Sequence, residues 1–225
     1  MSDVVVASID NIWSRHFFNK LSHLLGPEKI KWVKDDGELS FALDQKPKWV
    51  FFFHWSSKVA ASVFENNKCV VLHTSNLPEG RGGSPIQNLI LRNHKTTIIT
   101  ALKMTDVLDA GPIYLKRKLK LNGNAQKIYE RASKKVFKMI NIIVKKEIMP
   151  VAQKGKVVKF KRRKPKQSIL SKKINSLKEL YNHIRMLDAK TYPPAFIQYG
   201  KLRIEFKKAK INGQNINASV SIKLN

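Results

Sequence analysis

Short apolar runs alternate with stretches of helical spacing along the first half of the chain. Three runs, at residues 3–8, 48–54 and 69–73, are bounded by polar residues, as is typical of strands buried on both faces of a parallel sheet. Between them, apolar side chains recur at helical intervals. The alternation predicts an α/β fold with a Rossmann-like, mostly parallel open sheet and helices on both faces.

The pattern continues into two further strands and a long helix. Residues 97–102 and 113–121 have the apolar content of strands, and a turn-like segment separates them. From residue 125 to 148, the spacing places apolar side chains in one stripe along a helix and lysines on the opposite side of that helix. This pattern favours a helix packed on the sheet, and a membrane-surface helix is the alternative.

The last 60 residues predict a small unit of a different kind. Ser176 with Glu179 three positions later forms a capping box at the start of a helix. Alternating segments follow, and Asn212-Gly213 is a strong hairpin signal between the last two strands. We therefore expect a main domain at residues 1–165 and a small C-terminal α+β unit at 166–225.

Composition narrows the class of protein. The chain has 225 residues, of which 43% are apolar, enough for one main domain with an appendage. Its first residues lack the features of a signal peptide, and no apolar stretch approaches the roughly 20 residues that span a bilayer. We expect a cytoplasmic protein with no membrane partner. The single cysteine, Cys69, excludes disulfides and thiolate clusters within the chain.

Charge adds an ambiguous signal. The chain has 43 lysines and arginines against 16 acidic residues, a formal net charge of +27. Such a charge attracts polyanions, including nucleic acid and phosphorylated sugars. Because the lysines are spread along the whole chain, the pattern favours a generic solvated surface, and selection for a phosphate-bearing ligand is the alternative.

Two polar side chains mark a candidate site. His73 ends the third apolar run, and Asp109 lies in the turn before the next strand, 109 − 73 = 36 residues later. That spacing leaves room for a helix and a strand to return the chain to the same edge of the sheet, where ligands bind in open α/β folds. A structural histidine is the alternative for His73 alone. A histidine and an aspartate that converge beside glycine-rich loops favour a site.

The stretches HTSNLPEGRGGSPIQNLIL and TTIITALKMTDVLDAGPIYLK resemble the folate-dependent formyltransferase family. The matching positions are His73, Ser75, Leu77, Pro78, Arg81, Gly82, Pro85, Leu108, Asp109 and Gly111. The sequence of the loop after His73, together with the later segments FKRRKP and IRMLDAKTYPPAF, looks most like that of sugar N-formyltransferases of the pseudaminic-acid type.

The resemblance implies an enzyme of surface glycan biosynthesis that moves a formyl group from 10-formyltetrahydrofolate to the amine of a nucleotide-linked amino sugar. One alternative is a methionyl-tRNA formyltransferase, which the charge favours, although only about 60 residues remain for a tRNA-binding part. Another amine, such as glycinamide ribonucleotide or an aminoacyl carrier, is a further alternative, and so is a catalytically silent folate- or sugar-binding homologue. Outside the tRNA alternative we expect no nucleic-acid partner. The oligomeric state is open, a homodimer included.

The resemblance also implies roles for individual residues. His73 and Asp109 would be the catalytic residues that transfer the proton of the attacking amine. The folate would contact the loop after the second apolar run and the Asp109 turn, and the acceptor would contact the loop after His73. The residues expected to bind folate are Trp55, Ser56, Ser57, Asp106, Val107, Leu108 and Gly111, and those expected to bind the acceptor are Asn76, Arg81, Gly82 and Gly83. Trp55 has core packing as its alternative. No metal site is expected, since the histidines show no HxH spacing.

One position departs from the family. The pattern has an asparagine two residues before the histidine, where this chain has Val71. Valine cannot donate a hydrogen bond to the oxyanion, and losing one such donor costs on the order of a hundredfold in rate. We expect a replacement donor, and His54 at the end of the neighbouring strand is the first candidate, with Ser75 and Asn76 as alternatives.

Overall fold

Eleven strands and six α-helices make up the described fold. The structure is a computed structural model that describes residues 3–9, 12–190 and 192–224. In chain order the elements are β1 (Val4–Ala7), α1 (Ile12–Leu25), β2 (Ile30–Val33), α2 (Asp36–Leu43), β3 (Trp49–Phe52), α3 (Ala61–Asn66), β4 (Lys68–His73), β5 (Glu79–Gly82), α4 (Pro85–Leu91), β6 (Thr96–Lys103), β7 (Ile113–Lys120), α5 (Ala125–Lys146), β8 (Val158–Phe160), α6 (Leu177–Arg185), β9 (Ala195–Tyr199), β10 (Leu202–Asn212) and β11 (Asn215–Leu224). Short 3₁₀ turns lie at Pro27–Lys29 and Pro165–Ser168.

The main sheet has six strands in the order β2-β1-β3-β4-β6-β7. The pairs β1–β2, β1–β3 and β3–β4 are parallel, and β4–β6 is antiparallel. The expected α/β fold with a mostly parallel sheet is confirmed. Strand order reverses between β1 and β3, the kind of position where open α/β sheets bind ligands beyond the carboxyl ends of their strands.

The core of this sheet follows the apolar runs of the sequence. All four residues of β1 and all four of β3 are buried. Cys69 belongs to a buried cluster that includes Val5, Val50 and Phe52. Burial raises the pKa of the Cys69 thiol to about 12, so it remains protonated and acts as a small core side chain.

The stripe of α5 is buried. Six side chains on it are 0% exposed: Ile128, Ala132, Val136, Met139, Ile140 and Ile143. This burial confirms a core-facing helix and removes the membrane-surface alternative. Across the part of the chain that the structure describes, no helix is long and apolar enough to cross a bilayer.

The sequence did not predict β2 or α2. Strand β2 is an edge strand in which Ile30 and Val33 are buried while Lys31 and Trp32 stay partly exposed. It is four residues long and lacks the continuous apolar run of a central strand, so its pattern is weak. Helix α2 begins after Asp35, whose side chain accepts a hydrogen bond from the Glu38 amide.

The chain forms two compact units. The first comprises residues 1–82, 98–119 and 130–159 and contains most of the six-stranded sheet, and the second comprises residues 83–97, 120–129 and 160–225. The expected division between residues 165 and 166 stays a prediction.

The C-terminal part of the second unit contains helix α6 and an antiparallel sheet in the order β11-β10-β9. Helix α6 begins as the capping box predicted, because Ser176 accepts from the Glu179 amide at 3.2 Å. The hairpin between β10 and β11 also lies where it was predicted, with Gly213 at φ 56° in its turn. A small antiparallel-sheet unit at the C-terminus is therefore confirmed.

Candidate active site

His73 stands at the carboxyl end of β4 and is 8% exposed. Its Nε2 atom lies 2.8 Å from the carbonyl oxygen of Gly80. Because a carbonyl can only accept, Nε2 must carry a hydrogen and donate it. In the neutral ring, Nδ1 then holds the free lone pair, and this atom lies 3.5 Å from Oδ1 of Asp109. The ring therefore presents its proton-accepting atom beside a carboxylate.

Asp109 reaches His73 through a loop and not through a returning parallel strand. In the antiparallel pair β4–β6, His73 lies opposite Thr100 and Val70 lies opposite Lys103, so β6 runs away from the histidine. The loop after β6 carries Asp109 back. Its other carboxylate oxygen, Oδ2, accepts from the Gly82 amide at 2.8 Å, and its side chain is 6% exposed.

The backbone of this loop depends on two unusual positions. Asp109 has φ 55°, in the left-handed region that aspartate adopts more readily than most residues. At Gly111, a Cβ would lie 1.8 Å from the carbonyl oxygen of Lys103. Only glycine fits there, and this contact gives a physical reason for the Asp-x-Gly pattern of the sequence.

The loop after His73 is held by side chains from two neighbouring strands. Thr100 donates to the Ser75 carbonyl at 2.7 Å, and the Ser75 hydroxyl donates to the Gly80 carbonyl at 3.0 Å. Lys116 on β7 donates to the side-chain oxygen of Asn76 at 2.8 Å and to the Leu77 carbonyl at 2.7 Å. The Asn76 oxygen thus has a protein partner. Binding of the acceptor by Asn76 stays a prediction.

Arg81, Gly82 and Gly83 follow the same loop, and each has a protein contact. Arg81 donates to Gln153 at 2.9 Å, and the Gly82 amide is the one that holds Asp109. A Cβ at Gly83 would lie 2.4 Å from Cβ of Arg162, so glycine permits the close approach of that segment. Their roles in acceptor binding stay predictions.

His54 follows β3, the strand that pairs with the strand of His73. Phe52 pairs with Val71 in the parallel β3–β4 pair, so His54 and His73 each lie two positions beyond that pair. The chain turns at His54, where φ is 57°, and the imidazole packs on the Phe53 ring with centroids 3.8 Å apart. Burial lowers the pKa of His54 from 6.5 to about 4. Near pH 7 the ring is neutral and carries one N–H.

Trp55 is part of the packing of the fold. It packs against the buried cluster around Phe52, with the two rings edge to face at 6.0 Å. Core packing was the alternative interpretation of this residue. Within the described part of the chain its ring N–H is buried and has no hydrogen-bond partner. Contact with folate stays a prediction for Trp55, as it does for the exposed Ser56 and Ser57.

The turn before Asp109 is exposed and partly apolar. Val107 is 56% exposed and Leu108 is 70% exposed, and Asp106 is exposed beside them. Exposed apolar side chains next to a buried carboxylate are suited to a flat, partly apolar ligand. Among the described residues, no group of three His, Cys, Asp or Glu side chains could hold a metal ion.

Known proteins are similar to this chain in fold and in sequence. The family profile of the methionyl-tRNA formyltransferase C-terminal domain matches residues 165–223. A solved structure named methionyl-tRNA formyltransferase, from Clostridium thermocellum, is 38% identical with a TM-score of 0.94, and the match covers 100% of both chains. This chain belongs to the formyltransferase family. Members of the family are folate-dependent one-carbon transferases that use 10-formyltetrahydrofolate.

Other members of the formyltransferase family are more distant. The methionyl-tRNA formyltransferase of Thermodesulfovibrio yellowstonii is 28% identical over 178 residues, which are 76% of this chain and 55% of that protein. The chain thus spans about half the length of the curated relatives that it matches. A sugar N-formyltransferase from Shewanella sp FDAARGOS_354 is 15% identical with a TM-score of 0.67 over 89% of this chain and 94% of that one, a likeness of fold.

Two residues of the candidate site were not foreseen from the sequence. Gln153 holds the Asp109 loop and Lys116 holds the loop after His73. The partners of both side chains are distant along the chain, and no local pattern encodes such a partner. Burial lowers the pKa of Lys116, whose ammonium group donates to the Leu77 carbonyl and the Asn76 side-chain oxygen.

Proposed function

We propose that this chain transfers the formyl group of 10-formyltetrahydrofolate to a primary amine, with His73 as the proton acceptor. The observation that carries the proposal is the position of His73 Nδ1, 3.5 Å from Oδ1 of Asp109, while Nε2 is tied to Gly80. The carboxylate can pair with the ring once Nδ1 has accepted a proton. This arrangement leaves Nδ1 as the basic atom of a histidine whose ring is fixed in place. A fixed base beside a carboxylate is what removal of the amine proton requires.

The residues present fit a folate. Val107 and Leu108 expose apolar surface beside Asp109, and the Trp55 ring N–H is a buried donor in need of an acceptor. The bound folate supplies the activated formyl group. As the amine nitrogen bonds to the formyl carbon, His73 Nδ1 takes its proton, and the Asp109 carboxylate stabilises the positive charge on the ring. His73 then returns the proton to the folate nitrogen as the bond between that nitrogen and the formyl carbon breaks.

Negative charge develops on the formyl oxygen during this step, and a donor must meet it. Val71, on the same strand face as His73, has no polar group to offer. We propose His54 as the donor, because it follows the strand beside that of His73, two positions beyond the Phe52–Val71 pair, and its neutral ring carries an N–H.

For the acceptor, we propose the α-amine of an aminoacylated tRNA first. Three observations support it: the profile match at residues 165–223, the 38% identity to a protein named for that activity, and the net charge of +27. The sequence motifs alone favour a nucleotide-linked amino sugar, and that acceptor is the second candidate. Its specific support is the amino-acid sequence of the loop around Arg81 and of the later segments FKRRKP and IRMLDAKTYPPAF.

A direct competition between acceptors tests this choice. The purified chain receives 10-formyltetrahydrofolate, methionyl-tRNA and a nucleotide-linked amino sugar at equal concentrations and physiological salt. We expect formyl transfer to methionyl-tRNA to exceed transfer to the sugar by at least tenfold. The reverse ratio selects the sugar, and no transfer to any amine in a folded protein that binds folate contradicts the enzymatic proposal. Salt dependence alone does not separate the acceptors, because both are anionic.

A further inference from the structure

Gln153 connects three segments of the candidate site. It lies after α5, two residues beyond Val151, whose backbone pairs with Ile113 at the start of β7. Its amide nitrogen donates to the Asp109 carbonyl at 2.9 Å and to the Gly111 carbonyl at 2.8 Å. Its amide oxygen accepts from Arg81 at 2.9 Å.

These partners leave one orientation for the Gln153 amide. A guanidinium only donates and a carbonyl only accepts, so the oxygen must face Arg81 and the nitrogen must face the two carbonyls. Both N–H bonds of the amide are used. A glutamate at this position would keep the shape and the contact with Arg81, but it would lose both donors.

The two carbonyls belong to the part of the loop whose backbone is most constrained. Asp109 is left-handed at φ 55°, and Gly111 lies against the Lys103 carbonyl with no room for a Cβ. The Asp109 carboxylate must leave this backbone at the angle that reaches both Gly82 and His73. Bonds to the carbonyls of residues 109 and 111 hold the peptide groups that follow Asp109 and Gly111.

We infer that Gln153 is a positioning residue, which sets the orientation of Asp109 toward His73 by holding the carbonyls of Asp109 and Gly111. This inference rests on the proposed function. Gln153 acts through Asp109, and Arg81 acts through Gln153 by fixing the direction of its amide. Arg81 thereby supports the catalytic pair from the opposite end of the glutamine.

Two variants and one control test the inference by kinetics. Gln153→Glu removes both donors and keeps the contact with Arg81, and Gln153→Met removes every hydrogen bond at similar length without adding charge. Gln214→Glu, in the exposed hairpin turn, is the charge-matched control. We expect both Gln153 variants to lower kcat roughly 10- to 100-fold, since small displacements of a catalytic group have effects of this size. The KM for 10-formyltetrahydrofolate and the KM for the amine acceptor should change little. The control should match the wild type.

A double-mutant cycle separates positioning from general structural support. In the Asp109→Asn background, Gln153→Met should lower kcat less than threefold further, because the residue through which Gln153 acts is already disabled. Full multiplication of the two losses overturns the inference. So does a folded Gln153→Met protein with kcat within twofold of the wild type.

A spectroscopic measurement keeps this test independent of the reaction. In protein labelled with [¹⁵N]histidine, His73→Asn identifies the His73 ring signals. We expect these signals to move in both Gln153 variants and to stay in place in Gln214→Glu. If the wild type transfers no formyl group yet the signals move, the proposed function fails and the positioning role stands. Unmoved signals in both folded variants overturn the positioning role.

Discussion

Nδ1 of His73 lies 3.5 Å from Oδ1 of Asp109, although Asp109 follows a strand that runs antiparallel to the strand of His73. Strand β4 ends at the histidine, whereas β6 starts near it and leaves, and the loop after β6 brings the aspartate back. The pair therefore depends on loop geometry as much as on the sheet.

Removal of the His73 ring should abolish proton exchange and leave the fold in place. His73→Asn keeps hydrogen-bonding capacity, so we expect kcat to fall roughly 100- to 10,000-fold, the usual contribution of a general acid–base residue. Asp109→Asn should cost less if the carboxylate only orients the ring and stabilises its charge. His94→Asn, at an exposed histidine, is the control and should be neutral. Formyl transfer at a near-wild-type rate by folded His73→Asn would refute the mechanism.

The proposed oxyanion donor has its own test. His54→Ala should lower kcat by roughly a hundredfold, the effect of losing one such donor, with little change in folate affinity. Val71→Asn in the His54→Ala background should recover part of the rate, because it restores the amide of the family pattern. Stopped-flow kinetics with a separate folate titration measures both quantities. Weaker folate binding at unchanged kcat would make His54 a wall of the pocket.

His54 should also make stability depend on pH. Its pKa is lowered from 6.5 to about 4 by burial, so between these values the unfolded chain binds the proton that the folded ring excludes. The stability that depends on the neutral ring is present above pH 6.5 and is lost as the pH falls toward 4. Between pH 7 and 4.5 the loss is about 2 kcal/mol.

Urea unfolding at pH 7 and 4.5 measures this effect. The free energy of unfolding of His54→Gln should fall less over that range than the wild-type value, by about 2 kcal/mol. His94→Gln should follow the wild type, since its ring is exposed. Equal losses in His54→Gln and the wild type would mean that His54 titrates normally in the folded protein.

The close approach at Gly111 predicts a steric effect. In Gly111→Ala the new Cβ would lie 1.8 Å from the Lys103 carbonyl oxygen, so the backbone must move. We expect about 1 to 3 kcal/mol of destabilisation, the usual cost of overpacking, together with a fall in kcat because Asp109 moves with the loop.

Gly37→Ala is the matched control for this substitution. Gly37 lies in helix α2 with open space around it, its nearest neighbour being a side-chain oxygen at 3.5 Å, so alanine should stabilise the protein by about 0.5 to 1 kcal/mol. Thermal unfolding and initial rates on both variants provide the comparison. A Gly111→Ala protein as stable and as active as the wild type would contradict the observed packing.

The local pattern of apolar and polar residues predicted much of the fold. Continuous apolar runs predicted β1, β3 and β4 because strands buried on both faces need apolar side chains at every position. The stripe of α5 and the cap at Ser176 follow from the same local rules. The motif around His73 and Asp109 also placed the chain in its family before any geometry was known.

Tertiary structure decided what local patterns do not encode. The edge strand β2, the antiparallel direction of β6 and the bonds from Gln153 and Lys116 all depend on partners far along the chain. Side-chain donors that hold backbone carbonyls leave no periodic signal, since any loop glutamine or lysine has the same local appearance. The burial that lowers the pKa of His54 is likewise a property of the packed molecule, because desolvation requires the surrounding side chains to be in place.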